Sequence, residues 1–243
     1  DGDLVARPHP SRRVLEEQVV DYARRVHANG WVANHDGNVS VLLADGRYLI
    51  TPTAYSKAAV TRDALLVVDA DGRRVSGITK PFSELELHLY VYRHRPDVGA
   101  VLHAHPPTAT GLAVAGVAID PTMMAEPVVS LGAAIPLVPY ARPRSAESTV
   151  ALAAYLGDAD ALVLAHHGVL TMGPDLETAF LRMELVEHLA RIQLVALQAG
   201  GVRQIPHEDV SKLLEARTQA GLGATARAAS NVRPISAAQP RSR

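Results

Sequence analysis

The chain has 243 residues, 48% of them hydrophobic and 20% charged, with a formal net charge of -1. That length buries one substantial core, and the near-neutral balance excludes nucleic acid held by bulk charge. There is no cysteine, so disulfides and thiolate ligands are excluded and any metal must rest on His, Asp or Glu.

Residues 1–10 read as a loose arm without the apolar core of a signal peptide, and no stretch is apolar enough to span a bilayer. A cytoplasmic protein with no membrane partner is expected. From Ser11 the apolar residues Val14, Val19, Tyr22 and Val26 recur near helical spacing, and the helix stops at Asn29-Gly30. Val39–Leu43 and Arg47–Ile50 are short strands around Asp45-Gly46, a strong hairpin signal. Ala64–Asp69 is a further strand, closed by a turn at Asp71-Gly72. Ser83 is expected to open a helix to Arg95, with Glu86 completing a capping box. Val98–His105 reads as a strand and Thr108–Val114 as a helix. Val128–Val129, Ile135–Val138 and Ala161–Ala165 are strand candidates. Ser145–Leu156, Leu176–Ala199 and Glu208–Arg217 read as helices. From Gly221 to Arg243 the chain is Ala, Ser, Pro and Arg without periodicity, the pattern of a disordered tail. Residues 11–220 then form one α/β domain around a mixed or antiparallel sheet.

The chemistry concentrates in VLHAHPP, residues 101–107. Side chains two apart on a strand share a face, so His103 and His105 project together. Alone, the pair is equally consistent with hydrogen-bonded core histidines. LAHHGVL supplies a second cluster, His166-His167-Gly168, and one of its two histidines would complete the three-ligand set of a catalytic metal site. Spacing does not choose between them. Glu84 is a carboxylate in the first turn of its helix, suited to capping or to proton transfer. Glu126, a lone acid in MMAEPVV, is either an exposed loop residue or an acid/base whose pKa burial raises. His88 reads as a packed polar residue. Asn34, Asp36, Gly37 and Asn38 favour a tight turn whose backbone N–H groups can face an anion. Thr51, Thr53 and Ser56 form a second polar loop, and Ser83 with its helix N-terminus a third.

Taken in order, GNVSV, LITPT, KPFSE, RPDVGAVLHAHPPTATGLAV, IPLVPYA and LAHHGVL resemble the class II aldolase/adducin family, over roughly Val14 to Leu214. The resemblance implies a three-layer α/β/α sandwich around a central, mainly antiparallel sheet. It implies Zn²⁺ (or another divalent metal) on His103, His105 and His167, with Glu84 as a resting ligand and the catalytic acid/base. It implies substrate binding by Gly37, Asn38, Thr53 and Ser83, and a homotetramer. The function implied is an aldolase that cleaves or forms a C–C bond in a ketose phosphate or similar small hydroxy-carbonyl compound through a metal-stabilised enediolate. A decarboxylase, dehydratase or epimerase on the same scaffold is the alternative, and a non-enzymatic adducin-like assembly domain the third. Three positions depart from the pattern: Phe82 stands where the family has serine, Ala54 where it has glycine, and His35 where it has threonine. The family's catalytic tyrosine falls in TMMAE, where Glu126 would take its place. A bulky Phe82 in the anion site would tolerate an unphosphorylated substrate.

Overall fold

The computed structural model describes residues 9–143 and 145–229. In chain order the elements are α1 (Arg12–Ala28), β1 (Asn38–Leu42), β2 (Tyr48–Ile50), β3 (Leu66–Val68), β4 (Arg74–Ser76) and α2 (Leu85–His94). Then come β5 (Ala100–Ala104), α3 (Pro107–Val114), α4 (Ala125–Leu131), β6 (Leu137–Val138), α5 (Ala146–Ala153), β7 (Ala161–Leu164) and β8 (Gly168–Gly173). Three helices follow: α6 (Leu176–Gln198), α7 (His207–Gln219) and α8 (Gly223–Ala229).

The strands make one sheet in the order β4-β3-β2-β1-β5-β8-β7-β6. Every pairing is antiparallel except β6 with β7. Alternation along β5 divides the interior. Ala100, Leu102 and Ala104 enter one core with residues of α1, α3 and α6, while Val101 enters a second core with α2 and α5. A sheet covered on both faces by helices is the expected α/β/α sandwich. His103 follows Val101 by two residues and therefore points to the α2 side. Asn38 and Ser40 of β1 share that face.

Three local expectations change. The helix after KPFSE begins at Leu85 rather than Ser83, with Glu84 at its N-cap position and no side-chain cap. Glu86 pairs with Arg93 instead of completing a capping box. The reason is tertiary: Asn38 and His167 draw the Glu84 carboxylate inward. Val128 and Val129 lie in α4 rather than a strand. A short apolar run does not reveal its period, and Pro127 falls in the first helical turn, where its missing N–H costs nothing. Finally, the expected tail starts too early, because Gly223–Ala229 form α8. Residues 1–8 of the arm and 230–243 of the tail lie outside the described residues.

The C-terminal helices are tied down by one buried carboxylate. Asp160, 1% exposed, meets Arg95 at 2.7 Å, Arg182 at 3.1 Å, and Arg217 and Arg227 at 3.2 Å each. Burial alone would raise its pKa, but the surrounding guanidinium groups hold it below the usual carboxylate range.

Candidate metal centre

Two histidines come from the end of β5 and one from the β7–β8 turn. In that turn His166 takes the left-handed conformation, φ 55°, and is exposed, whereas His167 turns inward. Of the two, His167 is the one that gathers with His103 and His105. One ligand nitrogen from each of His103, His105 and His167 lies within 4.8 Å of the others. Nε2 of His103 and Nε2 of His105 are 3.1 Å apart. Ligands on a tetrahedral zinc with Zn–N of about 2.0–2.1 Å stand about 3.3 Å apart, so this pair already has the spacing a cation needs. Three imidazoles with a carboxylate beside them fit zinc or a similar divalent ion.

Gly168 makes the approach of the two segments possible. A Cβ there would come 2.5 Å from the Ala104 carbonyl oxygen and 2.5 Å from Cδ2 of His105. His103 Nδ1 lies 3.0 Å from the Val169 carbonyl oxygen. A carbonyl only accepts, so Nδ1 carries the proton and Nε2 keeps a free lone pair. Burial lowers the His103 pKa to about 3, so the ring is neutral at pH 7. Burial lowers His105 as well.

Glu84 stands over these rings. Its Oε1 is 2.7 Å from His167 Nε2, and its Oε2 is 3.5 Å from His103 Nε2. Asn38 Nδ2 donates to Oε2 at 3.1 Å. Burial alone would raise the Glu84 pKa, but His103, His167 and Asn38 hold it well below the usual carboxylate range. A neutral His103 beside an ionised carboxylate suits metal binding, which needs both groups free of the extra proton. Behind Glu84, His88 is fully buried with a pKa lowered by burial to about 3, and its Nδ1 lies 2.7 Å from Ser40 Oγ. It is the packed polar residue the sequence suggests.

The three polar loops meet at one end of the sheet. Gly37 and Asn38 open β1 beside His103. Thr53 N donates to Lys80 O at 3.0 Å, and Pro52 bridges Pro81, which brings the Thr53 loop against the Ser83 loop. Ser83 is exposed and lines a cleft of about 460 Å³ with Glu84, Ser145 and Ser148. Phe82 does not fill the anion site. It is buried, packing edge-on against His88 with ring centroids 4.9 Å apart, so the argument for an unphosphorylated substrate falls. Glu126 stands apart, exposed in the first turn of α4. The burial that was to make it an acid/base is missing, and it does not line the clefts beside Glu84.

Ala54 holds a left-handed backbone that glycine favours. Its φ is 58°, and it is exposed. A Cβ in that region costs roughly 1–2 kcal/mol. Ala54→Gly is therefore expected to stabilise the protein by about 1 kcal/mol, raising the thermal midpoint by roughly 2–4 °C. An unchanged or lower midpoint in a thermal melt would show that the loop carries no such strain.

Among the described residues no helix is long and apolar enough to cross a membrane. Sequence comparison extends the picture. The 3-oxo-tetronate 4-phosphate decarboxylase of Escherichia coli K12 is 32% identical over 208 residues, 84% of this chain and 95% of that protein. The 5-methylthioribulose-1-phosphate/5-deoxyribulose-1-phosphate aldolase of Rhodospirillum rubrum is 35% identical over 206 residues, 84% of this chain and 91% of that protein. A solved L-fuculose 1-phosphate aldolase superposes with a TM-score of 0.78 at 26% identity, covering 87% of this chain and 99% of that one. Residues 17–194 match the family described as Class II Aldolase and Adducin N-terminal domain, and the chain belongs to the class II aldolase/adducin family.

Proposed function

We propose that this chain is a zinc-dependent lyase of the aldolase type, making or breaking the Cα–Cβ bond of a small phosphorylated β-hydroxy-carbonyl compound, Cβ leaving as an aldehyde whose hydroxyl gives up its proton. The observation that carries the reading is the convergence of His103, His105 and His167 under Glu84. When bound, zinc (or another divalent cation) would supply Lewis-acid stabilisation of negative charge on the substrate's oxygens. The three imidazoles would hold the cation. Glu84, steered by Asn38, gives or takes the proton at the adjacent carbon. Gly37, Thr53 and Ser83 receive the phosphate at the meeting of their loops, and the cleft beside Ser83 takes the rest of the molecule. The reading includes a cytoplasmic homotetramer whose partner is a small molecule rather than nucleic acid or membrane.

The names of the relatives support a phosphorylated sugar as substrate. The identity to the decarboxylase favours a second reading, loss of CO₂ from a 3-oxo acid phosphate. It needs the same cation and ends on the same delivery of a proton to carbon. An assembly domain without catalysis would have no use for the cluster.

The test offers zinc-loaded protein L-fuculose 1-phosphate and 3-oxo-tetronate 4-phosphate in separate reactions, following aldehyde and CO₂. Cleavage of the ketose phosphate, abolished by a chelator and restored by zinc, is expected. Release of CO₂ alone would establish the second reading. A metal content far below one per chain, unchanged in His103→Ala, would sink both.

A further inference from the structure

The metal centre has an unclaimed carboxylate. When His103 and His105 both turn Nε2 lone pairs toward one cation, each must carry its proton on Nδ1. For His103 the Val169 carbonyl accepts that proton. For His105 the group facing Nδ1 is Asp36, with Oδ2 at 3.7 Å.

Three observations show that this facing is built. First, Asn38 of β1 pairs with His103 of β5. That is the last registered pair at this end of the ladder, and Asp36 and His105 each lie two residues beyond it, at the same end of the sheet. Second, the intervening Gly37 has φ 73°, and a Cβ on it would lie 2.5 Å from Val32 Cγ1 and 3.0 Å from the His103 carbonyl oxygen. A side chain there would push the turn off the histidine strand. Third, Lys57, 2% exposed, donates from Nζ to the His35 carbonyl at 3.2 Å and the Tyr55 carbonyl at 3.0 Å. It thereby pins the turn from below and adds a cation attracted to Asp36.

We propose that Asp36 is the outer carboxylate of the metal centre: it accepts the Nδ1 proton of His105, fixes that tautomer, and makes Nε2 a stronger donor to the cation. The proposal rests on the metal-centre reading above. Asp36 is a positioning residue, acting only through His105. Its side chain is 47% exposed, free to rotate across the remaining gap.

The test is zinc affinity of the full chain, measured by competition with a chromophoric chelator, in wild type, Asp36→Asn and Asp36→Ala. Loss of an outer-shell partner weakens metal binding by about 10–100-fold, and both variants are expected to show it. The thermal midpoint of the metal-free protein is expected to stay at the wild-type value, because Asp36 is on an exposed turn. Asparagine serves that turn as well as aspartate does. Wild-type affinity in Asp36→Asn, whatever Asp36→Ala does, would overturn the proposal and leave Asp36 as a turn former. If wild type itself bound no zinc, the metal-centre reading would fail with it.

Discussion

Glu84→Gln is expected to lose about 10²–10⁴-fold in turnover while still taking up zinc at saturating concentration. The amide is close to the carboxylate in shape and retains an oxygen, but it neither accepts nor returns a proton. In the native site Glu84 is an ionised group within 3.5 Å of two of the three imidazoles, oriented by the amide of Asn38. Activity and bound zinc are measured on the same preparation, so a metal-binding defect is separated from a chemical one. Wild-type turnover at equal zinc occupancy would remove Glu84 from proton transfer.

The second large effect lies far from the chemistry. Asp160→Asn removes the one carboxylate that Arg95, Arg182, Arg217 and Arg227 all share. Breaking a buried pair from one side typically costs about 3–5 kcal/mol; here Arg95 and Arg227 keep Asp97, at 2.7 and 3.7 Å, and the loss falls mainly on Arg182 and Arg217. For a chain of this size that corresponds to a thermal midpoint lower by roughly 6–20 °C, read by circular dichroism. The guanidiniums also bond to carbonyl oxygens, Arg95 to Leu156 and Ala159, and Arg217 to Val129 and Ser130. A midpoint within about 2 °C of wild type would show that these carbonyls suffice without the carboxylate. Asp160 directly precedes β7, the strand that leads to His167, so the variant also tests how firmly that ligand is anchored.

Much of the site was legible in the chain because its elements are local. The two-residue strand period put His103 beside His105, and Asp45-Gly46 announced the hairpin between β1 and β2. The ordered motifs carried the family, and the family carried the sandwich. The failures were also local patterns, overridden from a distance. Ser83 and Glu86 had the spacing of a capping box, but Glu84 between them is held by residues of β1 and of the β7–β8 turn. Phe82 looked like an obstruction in an anion site because the family pattern has serine there. Its ring instead follows α2 into the core.

From residue types and their spacing alone came the cysteine-free donor set, the paired histidines, the candidate acid Glu84 and the hairpins, since periodicity and turn chemistry act between near neighbours. Spacing left His166 and His167 open and the resemblance named His167; that His167 faces His103 while His166 is exposed needed the turn conformation, and the exposure of Glu126 needed the packing of α4. The partners of Asp160 lie on four separate segments, from Arg95 to Arg227. Asp36 comes to 3.7 Å from His105 because the turn at Gly37 lies against the end of β5. Long-range pairing leaves no local trace, so these contacts were decided by the folded sheet.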